Sequence, residues 1–378
     1  MSKSFCIRPW THAMIQTDGD IKLCCVSSEK SKHNLKTSTI KEWWASEFVN
    51  TVRQQMLNGE EPSSCVNCFN TEKRGGSSIR QKINKEYKFI ERYADKLINH
   101  FNYPSESPID IELSLTNLCN LKCIMCREQS SSTIATENKI LKISKINQTD
   151  YNIQGPEIDK IKDLILSKPK ILNFRGGETF IVPEIKELVQ WALDNDLLDD
   201  TLVHITTNGT RLTNEWLDLL IKIKHLRIML SVDGIGPVND YIRYGSKWEN
   251  IEKVAKQLSS ISGVNFVIHA TVMNINVLSI PDLIKWCNQN NYFLDVDLLE
   301  SPNNFKIDVF PVALLDKAKQ QLKGMNDKVS ETVLNAIESA VPKDIDALVK
   351  EINMRDKIRQ VSILNVIPDL TPYWYDTN

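Results

Sequence analysis

No stretch of this 378-residue chain is apolar over the roughly 20 residues that a membrane-spanning helix needs. The opening MSKSFCIRPWTHAMIQTDGD also lacks the uninterrupted apolar segment of a secretory signal. An excess of either charge is missing too: 46 Lys and Arg against 48 Asp and Glu leave −2. That gives no global footprint for nucleic acid or for an anionic membrane surface. Internal repeats and long low-complexity tracts are absent. These absences leave a soluble, cytoplasmic protein, long enough for two or three structural units.

Cysteine is scarce downstream, where Cys287 stands alone after Trp286 in an apolar helical segment and reads as a core residue. The other eight lie early: Cys6, Cys24, Cys25, Cys65, Cys68, Cys119, Cys123 and Cys126. Without a secretion signal disulfides would not persist, so close spacing points to metal or redox chemistry. The tightest group, 115-LTNLCNLKCIMC-126, holds three cysteines in eight residues. Three thiolates at that spacing suit an iron–sulfur cluster. They leave one iron of a [4Fe–4S] cube without a protein ligand and therefore open to a substrate or cofactor. The alternative is a zinc site or a four-cysteine cluster that recruits another cysteine.

From about residue 109 strand-like and helix-like segments alternate. Strands are expected at 109–115, 171–176, 202–209, 226–234, 265–273 and 292–300, and helices at 156–166, 182–195, 213–224, 248–260 and 281–290. This pattern predicts a parallel α/β layout, open or barrel-like, with its chemistry at the C-terminal ends of the strands. Upstream, a helix is expected over 40–57, where Ile40, Trp43, Trp44, Phe48, Val52 and Met56 share a face and Thr39 with Glu42 fits a capping box. The polar stretch 127–150 is longer than a usual βα loop and reads as a lid or a partly disordered insert. The basic run EKRGGSSIRQK (72–82) reads as a solvated face.

The Cys-x3-Cys-x2-Cys spacing resembles the signature of the radical S-adenosylmethionine (SAM) enzymes. FRGGETF (174–180) resembles the family's Gly-Gly-Glu motif, at the end of the second expected strand. TTNG (206–209), SVDG (231–234) and NDYIRYG (239–245) resemble segments that hold the ribose and carboxylate of the cofactor. The resemblance implies a partial (β/α)6 TIM-like barrel in which Cys119, Cys123 and Cys126 ligate a [4Fe–4S] cluster. It implies that SAM chelates the open iron and is split to a 5′-deoxyadenosyl radical, which abstracts hydrogen from a substrate. Gly176 and Gly177 would let the backbone approach the cofactor, and Glu178 would accept a hydrogen bond from its amino group. Asn208, Ser231 and Arg243 carry over as further cofactor contacts, Arg243 facing the carboxylate. Met125 stands where the superfamily often has an aromatic residue, and a thioether can pack on adenine.

Residues 6–25, CIRPWTHAMIQTDGDIKLCC, and CVNC (65–68) flank a Trp-containing segment. The arrangement resembles the SPASM/twitch extension, here ahead of the barrel. It implies an auxiliary [4Fe–4S] cluster on Cys6, Cys24, Cys65 and Cys68, with Cys25 able to replace Cys24; structural zinc is the alternative. The expected division is an auxiliary domain at 1–105, the barrel at 106–305 and a mostly helical region at 306–378. Family members imply an electron donor such as flavodoxin or ferredoxin, and peptide modification as the first substrate reading. Small-molecule oxidation of the sugar type is the second. A non-catalytic iron–sulfur or zinc scaffold is the reading from another class, and near-neutral charge argues against nucleic acid. His269 and Glu300 are read as structural, Asp233 as a residue that orients its loop, and no catalytic acid or base is assigned.

Overall fold

In the computed structural model, which describes residues 3–28, 32–73, 76–88, 106–146, 152–153 and 155–375, eight strands form one sheet. Two come from the N-terminal region, β1 (His12–Ile15) and β2 (Ile21–Lys22). The other six are β3 (Asp110–Ser114), β4 (Ile171–Arg175), β5 (Leu202–Thr207), β6 (Leu226–Ser231), β7 (Asn265–Val272) and β8 (Phe293–Leu298). Their order is β2-β1-β3-β4-β5-β6-β7-β8, parallel throughout except for β2. All six expected strands form.

Alternation along each strand explains why the sheet curls around a polar interior. Ile111, Leu113, Leu172, Phe174, Val203, Ile205, Ile228, Leu230 and Ile268 belong to the main apolar core. Their neighbours Asp110, Glu112, Asn173, Arg175, His204, Thr206 and Arg227 fall on the opposite face. Five helices follow successive strands: α7 (Pro156–Leu166), α8 (Pro183–Asp194), α9 (Asn214–Leu220), α11 (Trp248–Ser259) and α12 (Ile280–Gln289). In α8 the buried set Ile185, Leu188, Val189 and Ala192 recurs at three- and four-residue steps. Fully burying Ile185, Leu188 and Val189 contributes about 1.5–3 kcal/mol each, Ala192 less. A short α10 (Pro237–Ile242) lies between β6 and α11.

The N-terminal region adds α1 (Arg8–Thr11), α2 (Ile40–Trp44), α3 (Glu47–Leu57), α4 (Val66–Lys73) and α5 (Ile79–Lys88). The single helix expected over 40–57 is two. Thr39 and Glu42 form the capping box, but Ser46 accepts a hydrogen bond from the Val49 amide and starts a second helix. β1 pairs with β3 in parallel register, His12 opposite Asp110 and Ile15 opposite Leu113, so the sheet crosses the division expected near residue 105. Residues 312–359 form α13 (Val312–Leu322), α14 (Lys328–Glu338) and α15 (Asp346–Arg359). Among the described residues no helix is long and apolar enough to cross a membrane.

Candidate active site

The loop after β3 presents the three clustered cysteines. Cys119 and Cys123 are buried, Cys126 is half-buried, and Leu121 and Met125 pack with them. Backbone bonds tie this loop to the segment after β6: the Lys122 amide donates to Tyr244 O (2.9 Å) and that of Ile124 to Ile242 O (2.8 Å). Ser131 and Thr133 hydroxyls both donate to Leu121 O, at 3.2 and 2.6 Å. Burial pushes the Cys119 thiol up to about 12 and raises Cys123 and Cys126 as well, while the Arg243 charge pulls the latter two back. Metal binding at this loop would therefore release protons.

The Gly-Gly-Glu turn sits directly on the cysteine loop. Gly176 and Gly177 have φ of +83° and +52°, in the region glycine tolerates best. A Cβ at Gly176 would stand 2.8 Å from Ser114 Cβ, and one at Gly177 would collide with the Leu118 carbonyl oxygen. Both glycines thus permit approach to the chain itself. The Glu178 amide donates to Leu118 O at 2.8 Å. The Glu178 carboxylate, 1% exposed, accepts from Thr207 Oγ1 (2.5 Å), the Asn208 amide (2.7 Å) and the Phe180 amide (3.1 Å). Burial raises its pKa against those donors. A carboxylate offers about four acceptor positions, and donors among the described residues fill three of them.

Asn208 braces the same loop, its Nδ2 donating to Asn120 Oδ1 (3.2 Å) while its Oδ1 accepts from the Thr210 amide (2.9 Å) and hydroxyl (2.7 Å). Arg243 Nε pairs with Asp233 Oδ2 at 2.7 Å, and Nη1 lies 3.8 Å from Cys123 Sγ. Asp233 in turn accepts from the Thr271 amide at 2.7 Å, so it orients the arginine. Ser231 ends β6, half-buried and opposite His269 in register. Parallel strands bring Glu178, Asn208 and Arg243 to the cysteines at one end of the sheet.

The stretch expected to be a lid or a partly disordered insert carries structure up to residue 146, including α6 (Ser132–Ile140), while 147–150 lie outside the described residues. Within α6, Glu137 is fully buried and accepts from Arg355 Nη1 (2.7 Å), Arg359 Nε (2.9 Å) and Arg359 Nη2 (2.7 Å). Tyr241 and Tyr244 donate to Asp356 Oδ1 (2.7 Å) and Arg359 O (3.0 Å). Sequence reasoning missed this clamp. Its one visible signal is the Arg pair at i, i+4 in α15.

At the opposite end of the sheet Cys6, Cys24, Cys65 and Cys68 line one cavity with Arg8, Val26, Ser27, Ile79 and Arg80. Cys25 does not line it; the residue is exposed, while burial and then the Glu112 charge raise its thiol and Arg8 and Arg175 pull it back. Burial pushes the thiols of Cys6, Cys24 and Cys65 up to about 12. Arg8 Nε and Nη1 are buried with no hydrogen-bond partner among the described residues. Four sulfurs around a guanidinium that lacks acceptors fit a sulfur-rich anionic cluster. No three Cys, His, Asp or Glu side chains among the described residues converge on a single-ion site. Arg80, expected on a solvated face, is instead an anchor: it is buried, pairs with Glu72 and donates to the carbonyls of Lys3 (3.0 Å) and Phe5 (2.7 Å). Residues 74 and 75 of that run lie outside the described residues.

Residues 113–287 match the radical SAM superfamily, and residues 6–69 match SPASM, an iron-sulfur cluster-binding domain. The chain carries a radical SAM domain together with a SPASM domain. Its radical SAM domain implies a [4Fe–4S] cluster and SAM, and its SPASM domain implies auxiliary iron–sulfur clusters. The sporulation killing factor maturation protein SkfB of Bacillus subtilis is 24% identical over 59% of this chain and 51% of its own length. The mycofactocin maturase MftC of Mycobacterium tuberculosis is 24% identical over 50% of this chain and 44% of its own length. A probable GTP 3′,8-cyclase of Methanococcus maripaludis is 22% identical over 53% of this chain and 63% of its own length. The chain thus spans about half the length of the maturases it matches.

The remaining residues singled out in the sequence are accounted for by packing or simple ion pairs. In this radical SAM chain Cys287 is buried in the core and Glu300 pairs with Lys306 at 3.1 Å, 80% exposed. His269 faces the interior, its two ring nitrogens 3.6 Å from Asp295 and from Asp297.

Proposed function

We propose that this chain cleaves SAM reductively and directs the resulting radical onto a peptide substrate. The observation that carries the first half is one buried loop presenting three thiols against a Gly-Gly-Glu turn, at the C-terminal end of the parallel strands. Cys119, Cys123 and Cys126 hold the [4Fe–4S] cluster on this reading. Held by these three thiols beside SAM, a reduced cluster would supply one-electron reductive cleavage of SAM and, through it, hydrogen abstraction from substrate. Glu178 keeps one acceptor position for the cofactor amino group. Arg243 spends Nε on Asp233 and one Nη1 proton towards Cys123, which leaves three of its five N–H donors for the cofactor carboxylate. Asn208 and Ser231 lie at the ends of β5 and β6, suited to ribose and carboxylate contacts, and Gly176 and Gly177 seat the Gly-Gly-Glu turn against Ser114 and Leu118, which sets Glu178 beside the cysteine loop. Cys6, Cys24, Cys65 and Cys68 hold the auxiliary cluster in the first of three units, 1–105, 106–305 and 306–378.

The peptide assignment is supported by the names of two relatives, a maturation protein and a maturase. The second reading, a small molecule, is supported by the probable GTP 3′,8-cyclase, of whose length the match covers the larger share. The deciding experiment is release of 5′-deoxyadenosine from SAM by anaerobically reconstituted, reduced protein. Release above a Cys123→Ala control is expected; its absence from cluster-loaded protein, with and without a panel of peptides and GTP, would favour a non-catalytic scaffold. Mass change in a peptide or in GTP distinguishes the two substrate classes.

A further inference from the structure

We infer that the barrel interior recognises an oxyanion on the substrate, a carboxylate or a phosphate, held between Arg175 on β4, His204 and Thr206 on β5, and Arg227 on β6. The inference rests on the proposed function only in taking the barrel interior as the place the substrate enters.

Register puts these side chains in one patch. His204 is the Cα partner of Arg227, and Phe174 pairs with Ile205, which sets Arg175 beside Thr206. Phe174, Ile205 and Ile228 point the other way into the apolar core. Arg175 Nε, His204 Nε2, Thr206 Oγ1 and Arg227 Nε are all buried atoms with no hydrogen-bond partner among the described residues. A buried polar group left unsatisfied is costly, and the Arg175 and Arg227 N–H groups with the Thr206 hydroxyl, on three neighbouring strands, can each donate to an acceptor. The interior is nonetheless open, since the Arg175 side chain is 42% exposed.

The carboxylates in the interior do not meet that demand. Asp110 Oδ1 accepts from Asn173 Nδ2 (3.2 Å), and His12 Nδ1 lies 2.9 Å from its Oδ2. Asp295 and Asp297 flank His269, and Lys82 lies 3.9 Å from Asp297. Glu112 is 4.0 Å from both Arg175 Nη1 and His12 Nε2, beyond hydrogen-bonding distance. No carboxylate among the described residues comes within 4.0 Å of Arg227. What remains without a hydrogen bond among the described residues is Nε–H of Arg175 and of Arg227 and the Thr206 hydroxyl. Burial, then the charges of Arg175 and Arg227, hold His204 down to about 3, so it stays a neutral imidazole between two cations. Guanidinium forks match the geometry of carboxylate and phosphate oxygens. A peptide side chain or terminus would bring the first, a nucleotide the second.

The test titrates glutarate, pyrophosphate and uncharged glutaramide, by calorimetry, into the full reconstituted chain saturated with SAM, so that the cofactor's own carboxylate site is filled. At least one anion should bind and glutaramide should not. Arg175→Gln and Arg227→Gln should each weaken that anion by about tenfold. Arg227→Lys should lose less, and Arg211→Gln, at an exposed position, should change nothing. Preference for glutarate would assign a carboxylate, and preference for pyrophosphate a phosphate. Binding of neither anion, equal binding of glutaramide, or unchanged affinity in an Arg175→Gln/Arg227→Gln variant of wild-type melting temperature would overturn the inference. 5′-Deoxyadenosine release, measured on the same samples, separates that failure from failure of the radical assignment.

Discussion

Removing the Glu137 carboxylate should unfasten the C-terminal helix from the cysteine loop. Three N–H groups converge on it at 2.7 to 2.9 Å, and the Arg355 and Arg359 side chains are only 4% and 1% exposed. Glu137→Ala would strand both guanidiniums in the interior. Breaking a buried pair by deleting one partner costs about 3–5 kcal/mol. Arg355 keeps Glu351 at 2.7 Å, which favours the lower part of that range. At about 2–4 °C per kcal/mol for domains of 150–250 residues, melting should fall by roughly 10 °C. Tryptophan fluorescence of the anaerobic holoprotein would follow it, with limited proteolysis at α15 as the local readout. Replacing all three partners by Leu and Met should recover most of the loss. Burial alone would raise the Glu137 pKa; the hydrogen bonds and charges of Arg359 and Arg355 outweigh it and leave it lowered. Its contribution is therefore complete above the unfolded carboxylate range and fades as pH falls through the lower folded value. A Glu137→Ala protein that melts within about 1 °C of wild type, far inside the shift expected per kcal/mol, would refute the clamp.

Cys123→Ala should abolish 5′-deoxyadenosine release and lower iron content, and release at the wild-type rate would reject the ligand assignment. Exchanging Cys65 and Cys68 together for Ala should remove about four irons while the spectrum of the other cluster persists; loss of zinc with iron unchanged would reverse that reading. Gly177→Ala should destabilise the chain more than Gly59→Ala. Both have positive φ, +52° and +84°, but only the first meets the Leu118 carbonyl, whereas nothing lies within 4 Å of the second. Equal melting temperatures would mean that the turn can move off the cysteine loop.

The barrel was readable because its strands are runs of Ile, Val, Leu and Phe separated by amphipathic helices, and each ends in a distinctive turn. β1 was not, because HAMI is four residues long and buried on both faces, so it carries neither length nor alternation. Ser46 was hidden inside an apolar helical stripe, where a single N-cap outweighs the pattern. The cysteine triplet and Gly-Gly-Glu were legible as local strings. Choosing Cys24 over Cys25 needed the fold, since adjacent residues point to different sides. The Glu137 clamp lay beyond any local pattern, because its partners stand 218 and 222 positions away.

β1 also makes the order of the two modules along the chain less important than it looks. A strand inserted in parallel beside β3 works like a ruler: the auxiliary cysteines sit beyond one end of a continuous hydrogen-bonded sheet and Cys119 beyond the other. Hinge motion cannot vary their separation while the ladder holds. A slip of β1 by one residue would move the auxiliary end by about 3.3 Å. It would also turn His12 and Met14 out of the barrel and Ala13 and Ile15 in. The placement of Cys6 relative to Cys119 and the polarity of the chamber between them are therefore tied to the same four residues.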